Sequence, residues 1–294
     1  MNSFTQAIGF GIVTASVIAV SAVAGTLQFG VTRYINFALG DYMTLGAYSA
    51  YVLSVVWGIN FWISLLVACA IGAVVSLLIA RIVLAPFVRK RVSSFVMLIV
   101  TLGVSLILSD VILAIASGNP KQYATAIQDE AAFQLGPFLV TPAQIVVVAI
   151  ACAAMVAIHM LLAHTSVGKS MRAISDNPDL ARTSGISVSR MTDIVWMVSG
   201  ALAAGGGVLL ALNTGVFTPT FGEGYLFVIF SAVVVGGAGQ PYGAMLGALV
   251  TGMATELGAL VLTSAYKSDI AFVILILALA VRPRGLLPSR ASMS

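Results

Sequence analysis

The chain has 294 residues, of which 60% are hydrophobic and only 8% are charged. A soluble globular domain carries about 25% charged residues, so this composition excludes a water-soluble protein. The net charge of +4 is small, and we interpret it as a consequence of membrane topology rather than as a nucleic-acid-binding surface.

Apolar segments follow one another along the chain, at 7–29, 38–58, 61–84, 94–117, 141–162, 193–213, 225–236, 243–263 and 269–281. A helix needs about 20 apolar residues to cross the hydrocarbon core. The segments 225–236 and 269–281 are shorter than that, and each is compatible with an oblique helix, a half-span or a re-entrant piece. The sequence therefore predicts one all-α transmembrane domain over 1–294, a polytopic helical bundle with eight or nine spans.

The basic residues predict the orientation of these spans. Of the 14 Lys and Arg residues, all but Lys121 and Lys267 fall on one predicted side. Because cytoplasmic loops carry an excess of positive charge, that side is expected to be cytoplasmic. The C-terminus is then inside, and the N-terminus is outside with nine spans or inside with eight.

The connection from His164 to Thr192 contains the most specific local signal. Asn177 is a good N-cap, a proline follows it at the first helical position, and Gly185 can end a helix in the left-handed conformation. These signals predict a helix of about two turns over Pro178–Ser184. It is suited either to dock into a groove on a soluble partner or to rest as an amphipathic connector on lipid headgroups. The residues assigned to docking are Pro178, Asp179, Leu180, Ala181, Arg182 and Gly185.

The sequence carries no motif for chemistry of its own. The pattern G-x-x-x-x-G-K-[ST] that holds nucleotide phosphates is absent, as are H-E-x-x-H and G-x-S-x-G. His159 and His164 are five residues apart, which does not fit a helical zinc pair. We therefore expect no catalytic residue, no metal and no cofactor, and an ATPase would have to be a separate chain.

Ionisable residues at membrane depth are costly and are candidates for function. Asp110 and Glu256 fit this description best, with Asp41 less deep, although a structural ion pair or a hydrogen bond explains them nearly as well. Glycines near Pro241 favour either close helix packing or half-helices beside a translocation path. The candidates for that path are Asp110, Glu256, Asp41, Gly236, Gly237 and Gly239. Glu223 is expected in an external loop, within reach of a binding protein.

Four segments carry a family resemblance. Residues 168–186, GKSMRAISDNPDLARTSGI, closely resemble the cytoplasmic loop of permeases from the high-affinity branched-chain amino acid importers, an ABC-transporter family. Residues 27–51, which contain INFALGD, resemble an early segment of that family. Residues 236–248, GGAGQPYGAMLGA, and 281–287, VRPRGLL, are similar to its late segments. One departure is that Leu39 and Asp41 stand where the family often has His and Glu, and this difference bears on the substrate specificity.

The resemblance implies a multi-pass permease of the bacterial inner (plasma) membrane that works by alternating access. The short helix would be the coupling helix that seats in the ATPase. Two cytoplasmic ATP-binding subunits, a second permease and an external substrate-binding protein would be its partners. Leucine, isoleucine and valine are the default cargo, and urea, short amides and other amino acids stay open.

Alternatives outside this class are an ion-gradient-driven secondary transporter, a passive channel for small polar solutes and a membrane scaffold. ATP dependence of transport separates the importer from the first two. A weak internal repeat is also visible at an offset of 182, where Gly40 and Asp41 correspond to Gly222 and Glu223. Such a repeat is typical of transporters built from duplicated halves.

Overall fold

The computed structural model describes residues 3–123, 132–135, 138–282 and 285–287. Helices α1 to α6 span Ser3–Thr32, Leu39–Tyr51, Phe61–Ile79, Ala85–Arg89, Ser94–Ala116 and Pro142–His164. Helices α7 to α12 span Ser166–Asp176, Pro178–Thr183, Val188–Thr214, Phe221–Gly236, Pro241–Val261 and Lys267–Val281. A π-helical turn, Val52–Val56, extends α2, and a second, Ala80–Leu84, joins α3 to α4.

The predicted helical bundle is confirmed, because each predicted apolar segment lies on a helix. Six helical segments in the described part of the chain are long and apolar enough to cross a membrane. They are Phe4–Thr32, Phe61–Arg89, Ser94–Ala116, Pro142–His164, Val188–Thr214 and Pro241–Val261. Helices α2, α10 and α12 are the shorter apolar elements, with 13, 16 and 15 residues.

Local sequence signals set several helix starts. The Asn60 side chain accepts a hydrogen bond from Trp62 N at 2.9 Å, and Ser93 caps α5 in the same way. Thr141 and Gln144 form a reciprocal capping box at the start of α6. Such caps accept hydrogen bonds from backbone N–H groups that have no partner inside the helix. Leaving these groups without a partner is costly in a membrane, because little water is there to bind them.

Short strands occur only in the loops of the described chain. Lys121–Gln122 (β1) pairs antiparallel with Val216–Phe217 (β4), and Phe133–Leu135 (β2) pairs with Phe138–Val140 (β3). The first pair ties the α5–α6 loop to the α9–α10 loop. Its Phe217 ring packs against Tyr123 at 5.3 Å and against Tyr48 at 5.1 Å. This aromatic cluster closes one end of the bundle.

The repeat at an offset of 182 is visible in the helix bounds. Three pairs of helix ends are equivalent at that offset: the ends of α1 and α9 at Thr32 and Thr214, the starts of α2 and α10 at Leu39 and Phe221, and the ends of α3 and α11 at Ile79 and Val261. We call α1–α2–α3 the N-terminal unit and α9–α10–α11 the C-terminal unit.

The two units are inverted relative to each other. Gln28 Nε2 of α1 donates to Ser199 Oγ of α9 at 2.7 Å, and Ser21 of α1 lies against Gly206 of α9. A rising residue number on one helix meets a falling number on the other, so the equivalent helices α1 and α9 run antiparallel. Inverted repeats of this kind are a common architecture of transporters.

Candidate functional site

The short helix α8 has the caps that its sequence predicts. Asn177 Oδ1 accepts hydrogen bonds from Asp179 N at 3.1 Å and from Leu180 N at 3.0 Å. Gly185 has a φ of 82°, which favours glycine, and it lets Ile186 N donate to Ala181 O at 3.0 Å. The helix ends at Thr183, one residue before the predicted end.

The surface of α8 differs in one respect from the prediction. Leu180 is 64% exposed, whereas Ala181 is only 3% exposed. Ala181, one of the residues assigned to docking, therefore packs against the bundle, and Leu180 is the large apolar residue that α8 exposes. Arg182 and Asp179 form an exposed ion pair at 3.3 Å, and such a pair contributes about 0–0.5 kcal/mol. An exposed leucine on a rigidly capped helix is what a docking contact requires.

Helix α7, which precedes α8, was not predicted as a separate element. Its Met171 and Ile174 are buried against the bundle, three residues apart on one face. Arg172 Nη1 donates to Leu162 O at 2.5 Å, and the Arg33 guanidinium donates to Ser175 O near the C-terminus of α7. These bonds attach α7 to α1 and α6, and we call α7 and α8 together the platform. Two signals in the sequence could have indicated α7. They are the apolar Met171 and Ile174, three residues apart, and Thr165, which caps the helix.

Glu256 is in a structural ion pair. Its side chain accepts a hydrogen bond from Thr14 Oγ1 at 2.8 Å, and both carboxylate oxygens lie 2.7 Å from Lys267 Nζ. Glu256 is 7% exposed. The carboxylate therefore joins α1, α11 and the start of α12. Of the two explanations open from the sequence, this geometry favours the structural one.

The sequence predicts Asp41 at a shallower depth than Asp110 and Glu256, and Glu223 in an external loop, and the structure corrects both placements. A Cβ on Gly40 would lie 2.5 Å from Gly222 O, so the residues just before the two acids are in backbone contact. Asp41 is 1% exposed and accepts a hydrogen bond from Ser105 Oγ at 2.5 Å. Glu223 is exposed and lies in the first turn of α10, not in a loop.

The reason for this correction is that α2 and α10 both begin inside the bundle. Residues 33–38 turn back along α1, where Asn36 Nδ2 donates to Gln28 Oε1 at 2.9 Å. Leu39 then packs against Gly25, well before the end of α1. An apolar segment does not show at which depth its helix starts, so the sequence could not reveal this.

Asp110 is exposed on α5, on the side opposite the buried Met97, Thr101 and Val104. It has no hydrogen bond or ion pair with another described residue. Large exposed apolar side chains, among them Leu106 and Ile107, surround it on the helix surface. The structure does not bring Asp110 together with Asp41 or Glu256, so the predicted path residues do not form one cluster.

The glycine-rich turn between α10 and α11 serves close packing. A Cβ on Gly236 would lie 2.1 Å from Gly243 O, and one on Gly247 would lie 2.0 Å from Ala232 O. Gly237 and Gly239 have φ values of 109° and 86°, which other residues rarely adopt. Gly239 N donates to Thr26 Oγ1 at 2.9 Å. The turn therefore fixes the end of α10 and the start of α11 against α1.

Residues 285–287 complete the end of α10. Leu286 N donates to Val235 O at 2.8 Å, and Leu287 N donates to Gly236 O at 3.0 Å. These carbonyls lie in the last turn of α10 and have no partner inside the helix. Residues 285–287, from the last of the four segments that carry the family resemblance, thus lie beside the end of α10, where the segment 236–248 begins.

Together, the inverted helical units, the apolar outer surface and the capped peripheral platform define a polytopic membrane permease. Residues 7–279 match the family described as "Branched-chain amino acid transport system / permease component". The chain belongs to this family.

Individual relatives agree with that assignment. The probable branched-chain amino acid transport permease protein LivH of Methanocaldococcus jannaschii is 30% identical, over 94% of this chain and 90% of the relative. The high-affinity branched-chain amino acid transport permease LivH of Escherichia coli is 28% identical, over 97% and 95%. The ribose import permease RbsC of Escherichia coli is 29% identical, over 90% and 82%.

A solved structure shares the fold. PsaBC from Streptococcus pneumoniae in complex with Fab aligns with a TM-score of 0.53 and 14% identity, and the alignment covers 97% of this chain and 93% of that one. At this identity the likeness concerns the fold alone.

Proposed function

We propose that the chain is the membrane-embedded permease of an ATP-driven importer for branched-chain or related small amino acids. The observation that carries the proposal is the exposed Leu180 on the capped helix α8, which is attached through α7 to the ends of α1 and α6. A soluble ATPase that moves α8 would move this platform, and the platform would move the bundle. Alternating access would follow from the movement of the two inverted units.

The proposed partners follow from this role. Two cytoplasmic ATP-binding subunits dock at α8, a second permease completes the pore, and an external binding protein delivers the cargo. The platform then faces the cytoplasm, as does the C-terminus, and the protein is multi-pass in the plasma membrane. The excess of Lys and Arg on that side supports this orientation.

Two acidic residues keep their proposed roles. Asp110 needs water or protein against it at membrane depth, so we propose that α5 faces the path or the second permease. Glu223 stays the proposed contact for the binding protein, which would have to reach the start of α10 inside the bundle, where this side chain is exposed. The cargo is not fixed by likeness, because the ribose permease is about as similar as the amino acid permeases.

Co-purification with candidate soluble ATPases tests the proposal. Leu180→Asp places a charge on the exposed contact, and Gly185→Pro disrupts the αL residue that ends α8. We expect either change to abolish ATPase binding while the permease stays folded in the membrane. Ser189→Asp is the matched control, since it adds the same charge at the exposed start of α9 and should leave binding intact.

Two results would overturn the proposal. One is that no ATPase associates with the wild-type chain. The other is that binding ignores both changes in α8. In either case a gradient-driven transporter or a passive channel becomes the better description, and uptake that persists without ATP would identify it.

A further inference from the structure

A cavity lies between the platform and the bundle. Its volume is about 360 Å³, and its walls come from the ends of α1 and α6, from α7 and from the start of α11. Ligand sites have volumes of about 300–1,000 Å³, so this cavity suits a ligand at the small end of that range.

Opposite charges line the cavity at a fixed spacing. Arg172 and Asp176 are four residues apart on α7, so both side chains project from one face of the helix. Neither forms an ion pair with another described residue, and they do not pair with each other. One guanidinium N–H of Arg172 is held by Leu162 O. Its other N–H groups are available for a carboxylate, which guanidinium binds in a fork geometry.

The rest of the lining is mixed. Leu27, Val31 and Met171 give the cavity an apolar wall, and Gln240 adds an amide from the glycine-rich turn. A ligand that satisfies all of these groups carries a carboxylate, an ammonium group and an aliphatic side chain. These are the parts of a zwitterionic aliphatic α-amino acid.

We propose that this cavity binds a free aliphatic α-amino acid, with its carboxylate on Arg172 and its ammonium group on Asp176. The proposal rests on the proposed function, under which the cavity opens toward the cytoplasm. It then lies apart from the membrane-depth acids Asp41, Asp110 and Glu256, and it samples the imported product. A bound ligand bridges α7 to the α10–α11 turn, so it holds the platform against the bundle and slows the transport cycle as product accumulates.

Equilibrium binding of radiolabelled leucine tests the site. The permease–ATPase complex, without binding protein, is placed in nanodiscs of phosphatidylcholine and phosphatidylglycerol. We expect saturable binding that Asp176→Asn and Arg172→Gln each weaken at least tenfold. Lys169→Gln, a change on an exposed residue of α7 outside the cavity, should leave binding unchanged. Leucine methyl ester lacks the carboxylate and 4-methylpentanoate lacks the ammonium group, so neither should compete.

Three outcomes would overturn the site. The first is that leucine does not bind. The second is that leucine binds equally well to both α7 variants. The third is that leucine binding is lost when phosphatidylethanolamine is added to the discs. The last would assign the cavity to the phosphatidylethanolamine headgroup. ATP-dependent uptake is measured on the same complexes with binding protein added. Uptake with no cavity binding refutes the cavity alone, whereas no uptake at all refutes the proposed function.

A second readout separates a ligand role from a structural one. Loading proteoliposomes with internal leucine should slow uptake by the wild type, and Asp176→Asn should relieve that inhibition while initial uptake into empty vesicles stays the same. A merely structural role of Asp176 would lower uptake under both conditions.

Discussion

The N-terminal and C-terminal units have equivalent helix ends, but their acidic side chains differ in burial and in partners. In the N-terminal unit the acid that begins α2, Asp41, is buried and bonded to Ser105 of α5. Its counterpart in the C-terminal unit, Glu223, is exposed. Conversely, α11 carries the buried Glu256, whereas the equivalent position on α3 is Val74, which is 53% exposed. The duplicated backbone is thus conserved between the units while each unit has its own polar contacts.

The closest helix approach also differs between the units, and this gives the largest expected effect. Gly207 of α9 and Gly25 of α1 are equivalent positions. A Cβ on Gly207 would lie 1.9 Å from the backbone oxygen of Met43, whereas one on Gly25 would lie 3.0 Å from the tip of the Leu39 side chain. Because backbone cannot move aside as a side chain can, we expect Gly207→Ala to lower the free energy of unfolding by about 3 kcal/mol or more, the upper end of the cost of overpacking.

Gly25→Ala is the matched control for this change. It should be neutral or slightly stabilising, since alanine favours a helix over glycine by about 1 kcal/mol. Unfolding in mixed micelles titrated with SDS measures both variants. Equal losses for the two would show that the units pack alike and that the difference in approach is not real.

The ion pair at Glu256 gives the next effect. Glu256→Gln removes the charge that holds Lys267 and should cost about 1.5–3 kcal/mol, as expected for hydrogen bonds to charged groups. Thr14→Val removes only a neutral donor and should cost about 1 kcal/mol.

A double-mutant cycle sharpens this prediction. Lys267→Met combined with Glu256→Gln should cost less than the sum of the single changes, with a coupling of about 1–2 kcal/mol. The same SDS titration provides the four free energies. Strictly additive losses would mean that the pair does not join α11 to α12. Glu256 would then give the C-terminal unit no stabilising contact that the N-terminal unit, with Val74 at the equivalent position, lacks.

Sequence reasoning succeeded where the determinants are local. The caps Asn177 and Gly185 define α8 with no help from the rest of the chain, and the apolar segments locate the long helices. It did not predict that Ala181 would face the bundle and Leu180 the outside, because this depends on how α8 lies on α9 and α7. Thr14 as a partner of Glu256 is 242 residues away, so no spacing rule could propose it.

The depth of α2 and α10 was missed for a related reason. Hydropathy predicts how much apolar surface a helix has, but not where in the bundle the helix begins. The glycines that place these starts side by side, Gly40 and Gly222, were visible as a repeat at an offset of 182. Only the folded chain shows that the repeated positions touch each other.

The acids at these starts give the smallest expected effect and the sharpest functional contrast. Ser105→Ala removes the donor to the buried Asp41 and should cost about 1–2 kcal/mol of unfolding free energy. Glu223→Gln changes an exposed side chain and should stay within about 0.5 kcal/mol.

Uptake distinguishes the two variants further. If Glu223 contacts the binding protein, Glu223→Gln should slow uptake when the binding protein is limiting and leave uptake unchanged when it saturates, because a lost contact is offset by mass action. Ser105→Ala acts on the bundle, so its effect on uptake should not depend on binding-protein concentration. A loss for Glu223→Gln that persists at saturation would instead place Glu223 on the translocation path, beside the Asp41 to which it is related by the repeat.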